Sequence, residues 1–130
     1  MYSITSTTAV DKIKLINLTK EQVVRRDRTA IVRCAISVLN RILPNAIPQE
    51  LEEWFIRQIQ LGKNQQDVAV KTLGYLSYNE RSGKIVLRLK FFSMSVKGDH
   101  IFNHFTRTFN ARFPGGRKPD YVKLELQRHG

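Results

Sequence analysis

The stretch Gly74–Phe92, GYLSYNERSGKIVLRLKFF, decides how this chain is read. Two apolar and aromatic runs, Gly74 to Tyr78 and Lys84 to Val96, flank the turn-forming cluster Asn79-Glu80-Arg81-Ser82-Gly83, an order that predicts a β-hairpin. Side chains along a strand alternate between its two sides. Ile85, Leu87, Leu89 and Phe91 therefore share one side, and Lys84, Val86, Arg88 and Lys90 the other. A sheet built on this hairpin has an apolar face for a core and a second face that displays cations. The adjacent Phe91 and Phe92 predict a bulge, after which Phe92, Met94 and Val96 take over the apolar side.

Towards the C-terminus, Gly98 and Asp99 precede a helix running to about Arg112, with Ile101, Phe102, Phe105 and Phe109 on one stripe and Asn103, Arg107 and Asn110 opposite. Pro114 to Pro119 is a loop. Tyr121 to Arg128 then alternates Val122, Leu124 and Leu126 against Tyr121, Lys123, Glu125 and Gln127, the pattern of a half-buried last strand.

Towards the N-terminus, Asp67 to Leu73 fits a short helix or a strand, and Asn64 to Gln66 reads as a connection. Pro48 suits the first turn of a helix, with Glu50, Glu52 and Glu53 near the positive end of its dipole and Gly62 as its C-cap. Leu51, Phe55 and Ile59 share a face of that helix, with Trp54 beside it. A longer helix spans Lys20 to Leu43, where Ile31, Ala35, Val38 and Ile42, extended by Val24 and Leu39, form the core stripe. Arg26, Thr29, Arg33, Ser37 and Asn40 lie opposite, Arg25 and Arg28 flank the stripe, and Pro44 ends the helix by lacking a donor. Lys12 to Leu18 reads as a short strand, followed by the capping-box spacing of Thr19 and Gln22. The predicted fold is a single compact α+β domain over residues 12–130, an antiparallel sheet with helices packed on it, after a flexible Ser/Thr-rich arm over residues 1–11.

Charge narrows the function classes. The chain carries +11 over 130 residues, distributed as +5 in residues 1–44, −1 in 45–83 and +7 in 84–130. Such an excess repels itself unless something anionic meets it, so the expected partner is nucleic acid, with an anionic membrane surface as the alternative. An apolar content of 42% argues for a folded globule instead of a basic tail. A single cysteine, Cys34, excludes an internal disulfide framework, fits a reducing compartment and suits core packing. There is no secretory signal pattern and no apolar run of membrane-spanning length. A soluble intracellular protein is expected, with cytoplasm and nucleus equally open.

Two basic groups are the candidate nucleic-acid contacts. The first is the face of the long helix, Arg25, Arg26, Arg28 and Arg33, whose guanidinium groups fork onto phosphate oxygens. The second joins Lys84, Arg88 and Lys90 on the hairpin to Arg117 and Lys118 beside the Gly115-Gly116 turn, with Arg107 on the third helix. Tyr75, Tyr78 and Tyr121 are candidates for stacking on unpaired bases. The hairpin strand lacks the glycine-aromatic signature of the RNA-recognition module. Trp54, Phe55 and Ile56, on the one acidic helix of a cationic protein, are the candidate self-association surface, because two copies meeting there avoid the strongest repulsion.

Enzyme chemistry finds little support. His100 and His104 have a spacing that binds metals, yet no glutamate follows His100 and no third ligand is evident. Pro119-Asp120 with Glu125 resembles a nuclease pattern only faintly, since Gln127 stands where a lysine belongs. No catalytic residue, metal or cofactor is expected. The reading is a small basic protein that binds nucleic acid mainly through its backbone, with RNA or a single strand favoured, working as a homo-oligomer and suited to a viral or mobile-element accessory role. The alternative is a matrix-like structural protein lying on anionic lipid.

Overall fold

In a computed structural model of the chain, the structure describes residues 20–92, 96–113 and 118–128, the side chains of 20–27 and 96–97 excepted. The arm over residues 1–11 and the strand expected over 12–18 lie outside them. Seven elements follow in order: α1 Lys20–Ile42, α2 Gln49–Gln60, β1 Gln65–Val70, β2 Gly74–Arg81, β3 Lys84–Phe91, α3 Val96–Arg112 and β4 Val122–Arg128. The strands form one four-stranded sheet in the order β1-β2-β3-β4. The architecture is α+β with a mostly antiparallel sheet.

The hairpin forms where the sequence places it, with a tighter turn. Only Ser82 and Gly83 turn the chain, both at positive φ (51° and 75°), and Arg81 pairs directly with Lys84. Two successive positive φ values give a turn whose twist matches the flanking strands, so pairing runs to its very end. Asn79 and Glu80 thereby stay in β2. Of the segment Asp67 to Leu73, Asp67 to Val70 resolves as strand and Lys71 to Leu73 as the turn after it; β1 starts at Gln65, inside the expected connection, and pairs antiparallel with β2, from Gln65 opposite Asn79 to Val70 opposite Gly74. Among the described residues the expected bulge and continued strand after Phe91 are not found, and Met94 lies outside those residues. β3 ends at Phe91, and Val96 already belongs to α3, because the chain must leave the sheet to cross over.

That crossover is needed because β4 pairs parallel to β3, Ile85 opposite Val122 and Phe91 opposite Arg128. Parallel neighbours cannot be joined by a tight turn. α3 makes the connection, and its Phe105 and Phe109, with Phe113 just past its end, form a ladder of tilted rings with centroids 5.8 and 5.1 Å apart. α1 lies between α2 and α3 and touches both. This central position explains why Val32 and Ile36 are buried along with the predicted Ile31, Ala35, Val38 and Leu39. Asn40, expected to face outward, instead clamps the α1–α2 turn: its Nδ2 donates to the Ile47 carbonyl (3.1 Å) and its Oδ1 accepts from the Ile47 N–H (2.8 Å).

The helices share one core with Val68, Val70, Leu76, Tyr78, Ile85, Leu87, Leu89, Phe91 and Val122 of the sheet. All these strand residues fall on the same side of the pleat. No described helix packs on the other side. No described helix is long and apolar enough to cross a membrane.

Gly74 is where the sheet tolerates no side chain. Its φ is 156°, and a Cβ there would sit 1.7 Å from the Lys90 carbonyl oxygen. Gly74→Ala should destabilise the fold by about 1–3 kcal/mol, the cost of forcing an atom into filled space. Urea unfolding should show a lower midpoint with an unchanged slope; an unaltered midpoint would contradict the register of β2 on β3.

Candidate functional site

The uncovered face of the sheet is laid out by strand register. Its first row is Ala69, Tyr75, Lys90 and Gln127, its second Asp67, Ser77, Arg88 and Glu125, and its third Gln65, Asn79, Val86 and Lys123. Arg81 and Lys84 complete it beside the turn. Five cations thus share the face with two carboxylates. From Tyr75 to Arg81 it extends for about 20 Å at roughly 3.4 Å per residue.

Ion pairs occupy the middle of this surface. Arg88 donates from Nε and Nη2 to Oε2 of Glu125, at 2.8 and 2.6 Å. Lys123 Nζ approaches the other oxygen, Oε1, at 3.0 Å. The hydrogen bond from Lys123, then that from Arg88, hold the Glu125 carboxyl below its ordinary range. Lys90 reaches across β2 towards Asp67, at 3.6 Å. The turn end differs: among the described residues no carboxylate pairs with Arg81 or Lys84, which stand directly opposite each other and are both exposed. Like charges facing each other across strands destabilise a sheet.

An aromatic pair marks the other end. Tyr75 and Phe92 meet edge to face, ring centroids 5.4 Å apart and planes at 83°. Phe92 remains 54% exposed and Tyr75 38%. The sequence pattern assigns Phe92 to the apolar side. It is on the open side because it directly follows Phe91, which points into the core, and adjacent strand residues face opposite ways. That parity was the available signal. Tyr78, expected to be exposed, is wholly buried on the helix side, where its Oη donates to Glu80 Oε2 at 2.9 Å. Burial, then this bond to a carboxylate, drives the phenol far above its ordinary range. Tyr121 lies near β4's start, and its carbonyl accepts the Ile85 N–H at 2.7 Å.

Among the described residues, Arg28 and Arg33 of the first basic group lie on α1, on the covered side of the sheet, and do not join Lys84, Arg88 and Lys90 on its open face. Arg28 is a correction: its guanidinium pairs with Glu80, both side chains being largely buried (18% and 13% exposed), and so ties α1 to the end of β2. Arg33 pairs with Glu52 of α2 at 3.2 Å. Arg107 lines a shallow depression on α3 with His100, His104 and Thr108. Lys118 is half-buried before Pro119. The side chains of Arg25 and Arg26, and Arg117 as a whole, lie outside the described residues. Lys84, Arg88 and Lys90 are brought together on the open face.

Phe55 and Ile56 are a second correction, for they are buried in the protomer's own core and present nothing to a partner. Trp54 is exposed, as are Leu51 and Leu61. At about 100° per residue these three fall within about 80° of one another on α2 and its end. Cys34 is half-buried, and burial pushes its thiol up, with Arg112 opposing in part. This is the reverse of an activated thiolate. Among the described residues no three His, Cys, Asp or Glu side chains gather to hold a metal. Comparison with protein-family models, with curated proteins and with solved structures finds no match.

A carboxylate whose folded pKa is depressed adds stability above its unfolded pKa and loses it as pH falls through the folded one. Glu125→Gln should therefore be less stable than the native chain near neutrality, and the gap should close well below pH 4.5, the group's ordinary value. Urea titrations at both extremes test this. A gap that persists in acid would show that the carboxylate is not held ionised by Arg88 and Lys123.

Proposed function

We propose that the chain binds nucleic acid through the open sheet face, chiefly by contacts to phosphate and without reading base sequence. The observation that carries this is the turn end of the face, where Arg81 and Lys84 stand opposite each other without a carboxylate partner among the described residues. Their repulsion is retained in the free protein and relieved by an anion. Arg88, Lys90 and Lys123 continue the positive surface, each tied to a carboxylate by a half-buried or exposed ion pair that solvent screens in part. Phosphates can compete with such pairs.

Two opposite substitutions test the reading. Arg81→Glu with Lys84→Glu should weaken binding to RNA and DNA of any sequence, and should flatten the salt dependence by about 0.7–0.9 in log–log slope for each phosphate no longer neutralised. Glu125→Gln should tighten binding a few-fold, because it frees Arg88 and Lys123. Anisotropy titrations across a salt series read both. If neither variant changes affinity or slope, the open face is not the interface. Flotation on anionic vesicles with no nucleic-acid shift at the same salt would replace the proposal with a lipid-facing role.

The proposal includes self-association through α2. Leu51, Trp54 and Leu61 form an exposed apolar stripe on the helix that carries Glu50, Glu52 and Glu53 at its start and Arg57 near its end. Glu50 and Arg57 are seven residues apart and so lie on one flank of that stripe. Antiparallel pairing of two copies sets the acidic end of each helix against the basic end of the other. Trp54→Lys and Leu61→Lys, both at exposed positions, should sediment as monomer where the native chain sediments as a larger species. An unchanged mass for both would remove α2 as the contact.

A further inference from the structure

We infer that Tyr75 and Phe92, with Lys90 beside them, form a stacking platform for unpaired bases, so that single-stranded nucleic acid is the ligand class of this surface. This rests on the sheet-face reading and specifies its ligand. An edge-to-face pair uses one ring's edge and one face of the other, and leaves the remaining faces of both rings to a third aromatic. The Tyr75–Phe92 pair has this geometry and both rings are exposed. Lys90 is Tyr75's direct cross-strand partner on the same face, with Arg88 two residues further along β3. Stacking area and phosphate-seeking charge therefore sit within one row of each other.

The platform is held in place from below. Phe91, immediately before Phe92, is buried in the core, and it pairs with Gly74, immediately before Tyr75. The Phe92 N–H donates to the Leu73 carbonyl at 3.0 Å. Each ring thus extends from a backbone position that the core and the sheet ladder fix, so little ordering is required when a base arrives.

Duplexes keep their bases stacked inside and offer these rings only phosphate and sugar. A single strand offers base faces, and stacking on aromatics favours any base about equally while adding roughly 5- to 160-fold in affinity per base. An uncovered sheet face is broad enough to take splayed bases beside its cations.

The test compares three fluorescent probes of equal length in anisotropy titrations: a homopolymeric RNA strand, the same strand made abasic, and a duplex RNA. The native chain should bind the base-bearing strand about tenfold more tightly than the abasic one, and more tightly than the duplex. Tyr75→Leu and Phe92→Leu, which keep apolar bulk, should abolish that preference and leave the slope of affinity against salt unchanged. Ultraviolet cross-linking of the native chain to the strand, mapped by mass spectrometry, should label Tyr75 or Phe92, and this readout does not depend on either variant folding. Equal affinity of the native chain for base-bearing and abasic strands would overturn the platform while leaving phosphate binding by the sheet face intact. Cross-links confined to α1 or α3 would overturn it as well. Failure to bind any of the three probes would overturn both the platform and the sheet-face reading.

Discussion

Every other feature depends on the constraint that β3 is central and has two unlike sides. It pairs antiparallel with β2 and parallel with β4, so its position is fixed by both neighbours. Ile85, Leu87, Leu89 and Phe91 demand cover, and all three described helices provide it from one side. The parallel pairing with β4 makes a crossover unavoidable, and α3 places that crossover on the side already apolar. Lys84, Val86, Arg88 and Lys90 are then left together on a surface that no described helix covers. Folding the core and assembling the cationic face are thus one event.

The fold was legible wherever the pattern is local. Alternation in β3 and β4, the helical stripes of α1 and α3 and the turn residues Ser82 and Gly83 depend on nearest neighbours in the chain, and periodicity reports them directly. What the sequence hid is non-local. Nothing within Val122–Arg128 states that it lies parallel to β3, because that depends on a partner reached only through α3. Ile56 is off the narrow apolar stripe of α2, yet buried, because α2 contacts both α1 and β1. A wheel drawn for one contact surface misses the second.

The same distinction governs the candidate site. Lys84, Arg88 and Lys90 are identified by parity within one strand. Arg28 escapes such reasoning because its partner, Glu80, is distant in sequence and arrives only when β2 packs beneath α1. Counting charge along the chain treats every arginine as surface, whereas folding withdraws those that meet a carboxylate in the interior. Arg28, Glu80 and Tyr78 form such a group, joined through the two oxygens of one carboxylate. Breaking a largely buried pair leaves an uncompensated charge, so this cluster serves cohesion and not recognition.

Paired cations on the open face differ from that buried group in a way that bears on function. Arg88, Lys90 and Lys123 keep between about a quarter and three-fifths of their side-chain surface exposed, so solvent screens their attraction to Glu125 and Asp67 and limits its worth. On the proposed reading, a polyanion that replaced one carboxylate with a phosphate would give up little and would release condensed counterions as it bound. The carboxylates would then act as a brake on affinity. On that reading the unneutralised turn end and the aromatic end are the two places where a strand would gain most. A surface graded in this way would favour an extended ligand that spans both ends over a compact anion that reaches only one.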